Sequence, residues 1–266
     1  MPKFAANLSL MFKEVDFLDR FAEAARAGFT GVEFLFPYDY EPRELAERLR
    51  AHGLTQALFN CPPGNWDAGE RGTGCLPGRE AEFRDGVDRA IGYAQALDCK
   101  LLHCMAGLAP EGADPQELRA TYVGNLRYAA EACGRHGIRL LIEPINTRDI
   151  PRYFVNYTRQ ADELIREVGA SNLAIQFDIY HAQIMQGDLA RTIEHYLDRI
   201  AHMQLADNPG RQEPGTGEIN YPFLFEFVDR IGYEGWIGCE YNPAGNTRDG
   251  LGWFEAARTR VAAPAN

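Results

Sequence analysis

The stretch Gly-Arg-His-Gly-Ile-Arg-Leu-Leu-Ile-Glu, residues 134–143, decides the fold. A helical segment runs into Gly137, and a short apolar, β-prone run follows at once and ends in a glutamate. Glycine takes a left-handed backbone without a Cβ penalty, so it closes a helix and lets the chain turn back. The same grammar recurs as Ala-Arg-Ala-Gly-Phe-Thr-Gly-Val-Glu-Phe at 25–34 and Arg-Ala-His-Gly-Leu-Thr-Gln-Ala-Leu-Phe at 50–59. It returns as Arg-Ile-Gly-Tyr-Glu-Gly-Trp-Ile-Gly-Cys-Glu at 230–240. His52 and His136 precede two of these glycines, a favourable place at the negative end of a helix dipole.

Working outward, eight short apolar runs are expected as strands, near 3–9, 31–35, 55–60, 100–105, 138–143, 172–178, 200–205 and 235–240. Amphipathic stretches separate them, among them 14–27, 44–51, 80–97, 115–133 and 221–231. Strands alternating with helices pair in parallel through right-handed crossovers. The economical solution for eight units is a closed (β/α)8 TIM barrel, read as one α/β domain over residues 1–266. An open doubly wound sheet is the alternative, but no Gly-x-Gly-x-x-Gly turn follows the first strand. Two Gly/Pro-rich loops, 61–78 and 207–220, follow strands three and seven, on the face where barrel active sites are built.

Composition narrows the partners. At 45% hydrophobic and 24% charged, the 266 residues read as an ordinary globular chain. No apolar run approaches the ~18–20 residues that a membrane helix needs. The first ten residues read as a strand rather than a secretory leader, so a cytoplasmic protein is expected. A net charge of −11 disfavours nucleic acid and anionic membrane as partners, and leaves a homo-oligomer open. It would also repel an anionic substrate, which must then be held by a local cation. The six cysteines form no Cys-x-x-Cys pair, which fits reduced thiols. Cys61 and Cys75 flank one Gly/Pro loop and could meet, though two unpaired thiols are expected.

The last four strands carry the chemistry. They end in or contain Glu143, Asp178, Gln204 and Glu240. Singly, each could cap a helix or pair with a surface base. Together they are harder to dismiss, because neighbouring strands lie ~4.8 Å apart and would bring three carboxylates into one small volume. Such repulsion demands bases or a cation. No lysine or arginine adjoins any of the four in sequence, and an oxygen-only set suits a hard divalent cation, Mg2+ or Mn2+ rather than Zn2+. His202, two residues before Gln204, is expected to pack beneath the site. His181 could hydrogen-bond a substrate oxygen or merely cap a helix. Arg211, amid glycines, could fork onto a carboxylate or stand in solvent.

With these residues in place, the chain resembles the hydroxypyruvate isomerases of the xylose-isomerase-like barrel superfamily. The resemblance covers nearly the whole chain. It rests on Val-Glu-Phe-Leu-Phe-Pro-Tyr at 32–38, Leu-Phe-Asn-Cys-Pro-Pro-Gly-Asn-Trp at 58–66 and Ala-Gly-Glu-Arg-Gly at 68–72. Glu-Pro-Ile-Asn-Thr-Arg-Asp at 143–149, Asp-Ile-Tyr-His-Ala-Gln at 178–183 and Gln-Leu-Ala-Asp-Asn-Pro-Gly-Arg at 204–211 complete it. The resemblance implies that Glu143 and Glu240 are both metal ligands and proton shuttles, with Asp178 and Gln204 as the remaining ligands. It implies isomerisation of a small hydroxy-oxo acid through a cis-enediolate: hydroxypyruvate to tartronate semialdehyde, or 2-oxo-tetronate to its 3-oxo isomer. His181 and Arg211 are the expected substrate contacts. Related ketose 3-epimerases usually carry histidine where Gln204 stands, which favours the acid isomerase over an epimerase. Phe36, Tyr38, Phe59 and Trp66 are expected to close the mouth of the site and shorten it.

Overall fold

The computed structural model describes residues 2–259. Its strands are β1 (Lys3–Asn7), β2 (Gly31–Glu33), β3 (Thr55–Asn60), β4 (Leu101–His103), β5 (Arg139–Ile142), β6 (Leu173–Asp178), β7 (Ile200–Leu205) and β8 (Trp236–Cys239). All pair in parallel and in chain order, and β8 returns to β1 to close the barrel. The helices are α1 (Arg20–Arg26), α2 (Pro42–His52), α3 (Glu80–Leu97), α4 (Pro115–Gly134), α5 (Thr158–Val168), α6 (Ile179–Met185), α7 (Leu189–Tyr196), α8 (Tyr221–Arg230) and α9 (Gly252–Thr259). The TIM barrel expected from the sequence is therefore the fold observed.

The glycines that anchored this expectation behave as the backbone argument requires. Gly28, Gly53, Gly137 and Gly232 all have positive φ, between 63° and 93°. At the other helix ends, Asp114 caps α4 by accepting the Gln116 N–H at 2.9 Å, with Pro115 in the first turn. Strands are shorter than expected: β2 stops at Glu33 and β4 at His103, while Glu143 and Glu240 lie one residue beyond β5 and β8. Those glutamates leave the ladder just where the chain turns out to its loop.

Alternation sorts each strand into two faces. Outward residues meet the helices in the main core, where Phe34 and Phe59 stack at 6.2 Å and Phe29 and Phe254 at 4.2 Å. Inward apolar residues are few: Leu58, Leu141 and Ala174 form a separate small cluster. Toward the strand C-termini the barrel interior is polar instead. The six cysteines are free and buried, and the Cys61 thiol faces Cys104 across β3 and β4 at 3.3 Å, not Cys75. No helix among the described residues is long and apolar enough to cross a membrane.

One interior contact sets a tight tolerance. Glu33, buried on β2, accepts from Asn7 Nδ2 at 3.0 Å and Gln204 Nε2 at 2.8 Å, and lies 2.7 Å from His202 Nε2. Its carboxylate occupies the space a side chain at position 238 would need: a Cβ on Gly238 would sit 2.2 Å from Glu33 Oε2. Gly238→Ala should thus destabilise the protein by about 1–3 kcal/mol, the usual cost of overpacking an interior. A urea titration measures this; an unchanged midpoint would mean that Glu33 can move aside freely.

Candidate metal and proton-transfer site

Closure of the barrel gathers four of the expected residues at its C-terminal mouth. Glu143 follows β5, Asp178 ends β6, His181 stands in the first turn of α6, and Glu240 follows β8. One ligand atom from each of these buried groups lies within 4.8 Å of the others. Gln204 is paired with Asp178 in the β6–β7 register. The local chain explains the placement of Asp178: Oδ1 caps α6 by accepting from Tyr180 N at 2.8 Å, which turns Oδ2 inward.

Electrostatics at this point are strained by design of the residue set. Burial, then the charge of Glu240, holds Glu143 well above the usual carboxylate range. Burial pushes Asp178 to about 6, against the pull of Arg211 and the N–H groups of Tyr180 and His181. Burial likewise pushes Glu240 to about 8, with Arg211 opposing. Glu143 Oε1 and Asp178 Oδ2 are buried with no hydrogen-bond partner among the described residues. Buried oxygens without partners are costly, and these two belong to one carboxylate cluster, where a single positive group could satisfy both. Carboxylate and amide oxygens suit a hard divalent cation, and the residues present fit one.

Gln204 matches that donor set. Its Nε2 is pinned by the Glu33 carboxylate, so Oε1 is the free end of the amide; it accepts from Gln176 Nε2 at 2.6 Å and keeps a second lone pair. His202 packs beneath, on Glu33, as its place two residues before Gln204 suggested.

His181 is a different kind of group, although it lies within the cluster. Asn146 Oδ1 accepts the backbone N–H groups of Arg148 and Asp149 at 3.0 and 2.8 Å, which directs its Nδ2 to His181 Nδ1 at 2.6 Å. An amide NH2 only donates, so Nδ1 accepts and the imidazole proton sits on Nε2. Burial, with Arg211 second, holds this ring well below the ordinary histidine range and therefore neutral. Nε2 faces Asp178 Oδ2 at 3.5 Å and Glu143 Oε1 at 3.8 Å. In this tautomer His181 offers a hydrogen to an oxygen rather than a lone pair to a metal.

Arg211, distant from the carboxylates in sequence, reaches them in space. The 207–220 loop folds back so that its Nη2 donates to Glu240 Oε2 at 2.8 Å, with Asp149 at 3.7 Å and the Tyr180 ring 5.2 Å away. Its side chain is about one-quarter exposed, and it is not beside these residues in sequence. Burial works against its charge, but Glu240, Asp178 and Glu143 hold it protonated above any working pH.

Phe59 is also corrected. Its neighbours Leu58 and Asn60 point inward, so Phe59 faces out into the helix layer and cannot close the mouth. Tyr38 packs with it at 6.4 Å and donates to Asn60 O at 2.7 Å, whereas Phe36 and Trp66 pair edge to face at 5.1 Å in the loops beyond. The sequence reading also passed over the first four strands, which end in buried Asn7, Glu33, Asn60 and His103. His103 Nδ1 lies 3.2 Å from Asn60 Oδ1 and 3.7 Å from Glu143 Oε2, and burial lowers its pKa to about 3. A polar residue closing each of four apolar runs was the available signal.

A parallel eight-stranded barrel with acidic groups at its C-terminal mouth defines a class of protein, the xylose isomerase-like TIM barrel, and that family's model matches residues 21–257. The chain belongs to this family. Within it, the chain is 54% identical over 255 residues to the 2-oxo-tetronate isomerase of Cupriavidus necator, covering 96% of this chain and 98% of that one. It is 53% identical over 258 residues to the hydroxypyruvate isomerase of Escherichia coli, covering 97% and 100%. A crystal structure from Brucella melitensis, described as an AP endonuclease of family 2, superposes with a TM-score of 0.95 at 54% identity, covering 96% and 99%. The curated relatives of this likeness are isomerases, and the chain belongs with that hydroxypyruvate isomerase-like group.

If the orphaned oxygens await a cation, chelator-treated protein should gain about 2.7 kcal/mol of stability from Mn2+ at a hundred times its dissociation constant. Thermal melts of wild type and Asp178→Asn test this. A wild type indifferent to Mn2+ and Mg2+, or a variant that responds equally, would refute the cation site.

Proposed function

We propose that the protein isomerises a small hydroxy-oxo acid, with hydroxypyruvate the first candidate and 2-oxo-tetronate the second. The observation that carries this reading is the pair Glu143 and Glu240, buried across one small space with Arg211 on Glu240. Moving a carbonyl to the neighbouring carbon requires a base that takes a carbon-bound proton and an acid that returns it next door. Two glutamates on facing strand ends can do both. The 266 residues would then act as one catalytic domain.

Glu143, Asp178, Gln204 and Glu240 would hold a divalent cation, Mg2+ or alternatively Mn2+. Such an ion supplies Lewis acidity that polarises the substrate carbonyl. Arg211 binds the substrate carboxylate in a two-pronged hydrogen bond, giving the acidic protein the local cation that its net charge of −11 makes necessary. His181 Nε2–H donates to a substrate oxygen. With hydroxypyruvate, one glutamate takes a proton from C3, the electron pair forms the cis-enediolate, and a glutamate returns the proton to C2. The hydroxyl hydrogen passes from the C3 oxygen to the C2 oxygen, leaving tartronate semialdehyde with no net redox change. An endonuclease reading is disfavoured by the acidic charge, since phosphate backbones are held by cations. Six free buried thiols fit a reducing compartment, hence the cytoplasm.

Replacing Glu143 or Glu240 by Gln keeps an oxygen in place but removes the proton acceptor, and kcat should fall by about 10²-fold or more. Steady-state assay of each variant checks this, and a kcat above about a tenth of wild type in either would end the two-glutamate scheme.

Substrate choice is the second test. Comparing kcat/KM for hydroxypyruvate, 2-oxo-tetronate, fructose and tagatose should favour an acid by well over tenfold. A ketose within tenfold of the best acid, only about 1.4 kcal/mol in transition-state binding, would turn the assignment to a sugar epimerase.

A further inference from the structure

The loop that carries Arg211 is built around a second buried carboxylate that the site itself does not use. Asp207 lies two residues beyond the end of β7, is fully buried, and accepts four backbone N–H groups. Oδ1 takes those of Asn208 and Ile219 at 2.9 and 3.1 Å, and Oδ2 takes those of Gly215 and Gly217 at 2.8 and 2.9 Å. Its own N–H donates to Gln212 O at 2.7 Å, which draws the chain on either side of Arg211 together. The loop therefore winds around one side chain. At its tip Arg211 has a left-handed backbone, φ 52°, and its carbonyl accepts from Asn242 N at 2.9 Å. Glu213 ties the same loop to the β8–α9 connection, its Oε2 accepting from Ala244 N at 3.0 Å. The fit leaves no slack: a Cβ on Gly217 would lie 2.0 Å from Asn208 O and 2.8 Å from Asp207 Oδ1.

We propose that Asp207 is the positioning residue for Arg211: its carboxylate fixes the loop that presents the guanidinium to Glu240 and to the bound substrate. The inference rests on the reading of Arg211 as the substrate-binding arm. A guanidinium on a long side chain loses much freedom when it binds, and a loop held by four hydrogen bonds has lost that freedom beforehand. Four N–H donors also explain why an acid stands here. A carboxylate only accepts, so both oxygens can serve two donors each, whereas Asn would keep one oxygen and turn an NH2 against the other two N–H groups. Asp207 touches none of the groups that would hold the cation or move the proton, so its effect must pass through the loop.

The test compares Asp207→Asn, Arg211→Ala and the double variant, using whichever of the four compounds above is the best substrate. A ketose preference would sink the acid reading while leaving this comparison standing. Asp207→Asn and Arg211→Ala should each raise KM about tenfold or more, and Asp207→Asn should change kcat less than about threefold. The double variant should be no worse than the more affected single, since both remove the same arm. Amide hydrogen exchange of the metal-free protein, which needs no substrate, should quicken in Asp207→Asn at residues 208, 215, 217 and 219 and spare the β-strands. Loss of kcat at unchanged KM, effects that multiply in the double variant, or unchanged exchange would each overturn the proposal. If Asp207→Asn does not fold, Gly217→Ala perturbs the same cradle from its other side, and the same KM, kcat and double-variant criteria decide.

Discussion

Crowding of like charge is the constraint on which the rest of this structure depends. Glu143, Asp178 and Glu240 converge within 4.8 Å at the barrel mouth, all buried. Solvent does not reach them, and burial is the largest cause moving each toward its protonated form. The surroundings can be understood as responses to that crowding. Arg211 reaches back from the following loop to Glu240, Asp178 spends one oxygen on a helix cap, and His181 is held neutral with its hydrogen toward the carboxylates.

Not all buried acids here are alike, and the difference separates scaffold from chemistry. Glu33 has both oxygens engaged, by Asn7, Gln204 and His202. Asp207 has four N–H donors. These carboxylates are satisfied by the protein and serve to hold other groups still. Glu143 and Asp178 each keep a buried oxygen without a partner. Both of these open oxygens belong to the one cluster of buried carboxylates at the barrel mouth, and a buried acceptor without a donor costs ~1–3 kcal/mol or more.

The two layers are mechanically connected. Glu33 grips the nitrogen of Gln204, which turns the amide oxygen to accept from Gln176. Gly238, lacking a side chain, makes room for that grip from β8. Asn146 fixes the tautomer of His181 because its own oxygen is already committed to two backbone N–H groups. Gln204 and His181 are thus each oriented by a neighbour with a single hydrogen-bonding sense.

The sequence by itself determined the repeated helix, glycine and strand unit, the barrel that eight such units make, and the strand-end residues Glu143, Asp178, Gln204 and Glu240. These are local properties: a glycine's backbone freedom, a period of two, a carboxylate closing an apolar run. Only the tertiary structure decided that Arg211 meets Glu240, 29 residues away, since the 207–220 loop that carries Arg211 winds around Asp207 and no spacing sets its path. It also decided that Phe59 faces the helices, that Cys61 lies against Cys104 rather than Cys75, and that Glu33 from β2 reaches beneath Gln204 on β7. Which side chains share an interior layer is fixed by the stagger between strands and by closure of β8 onto β1. No single stretch of chain carries that information.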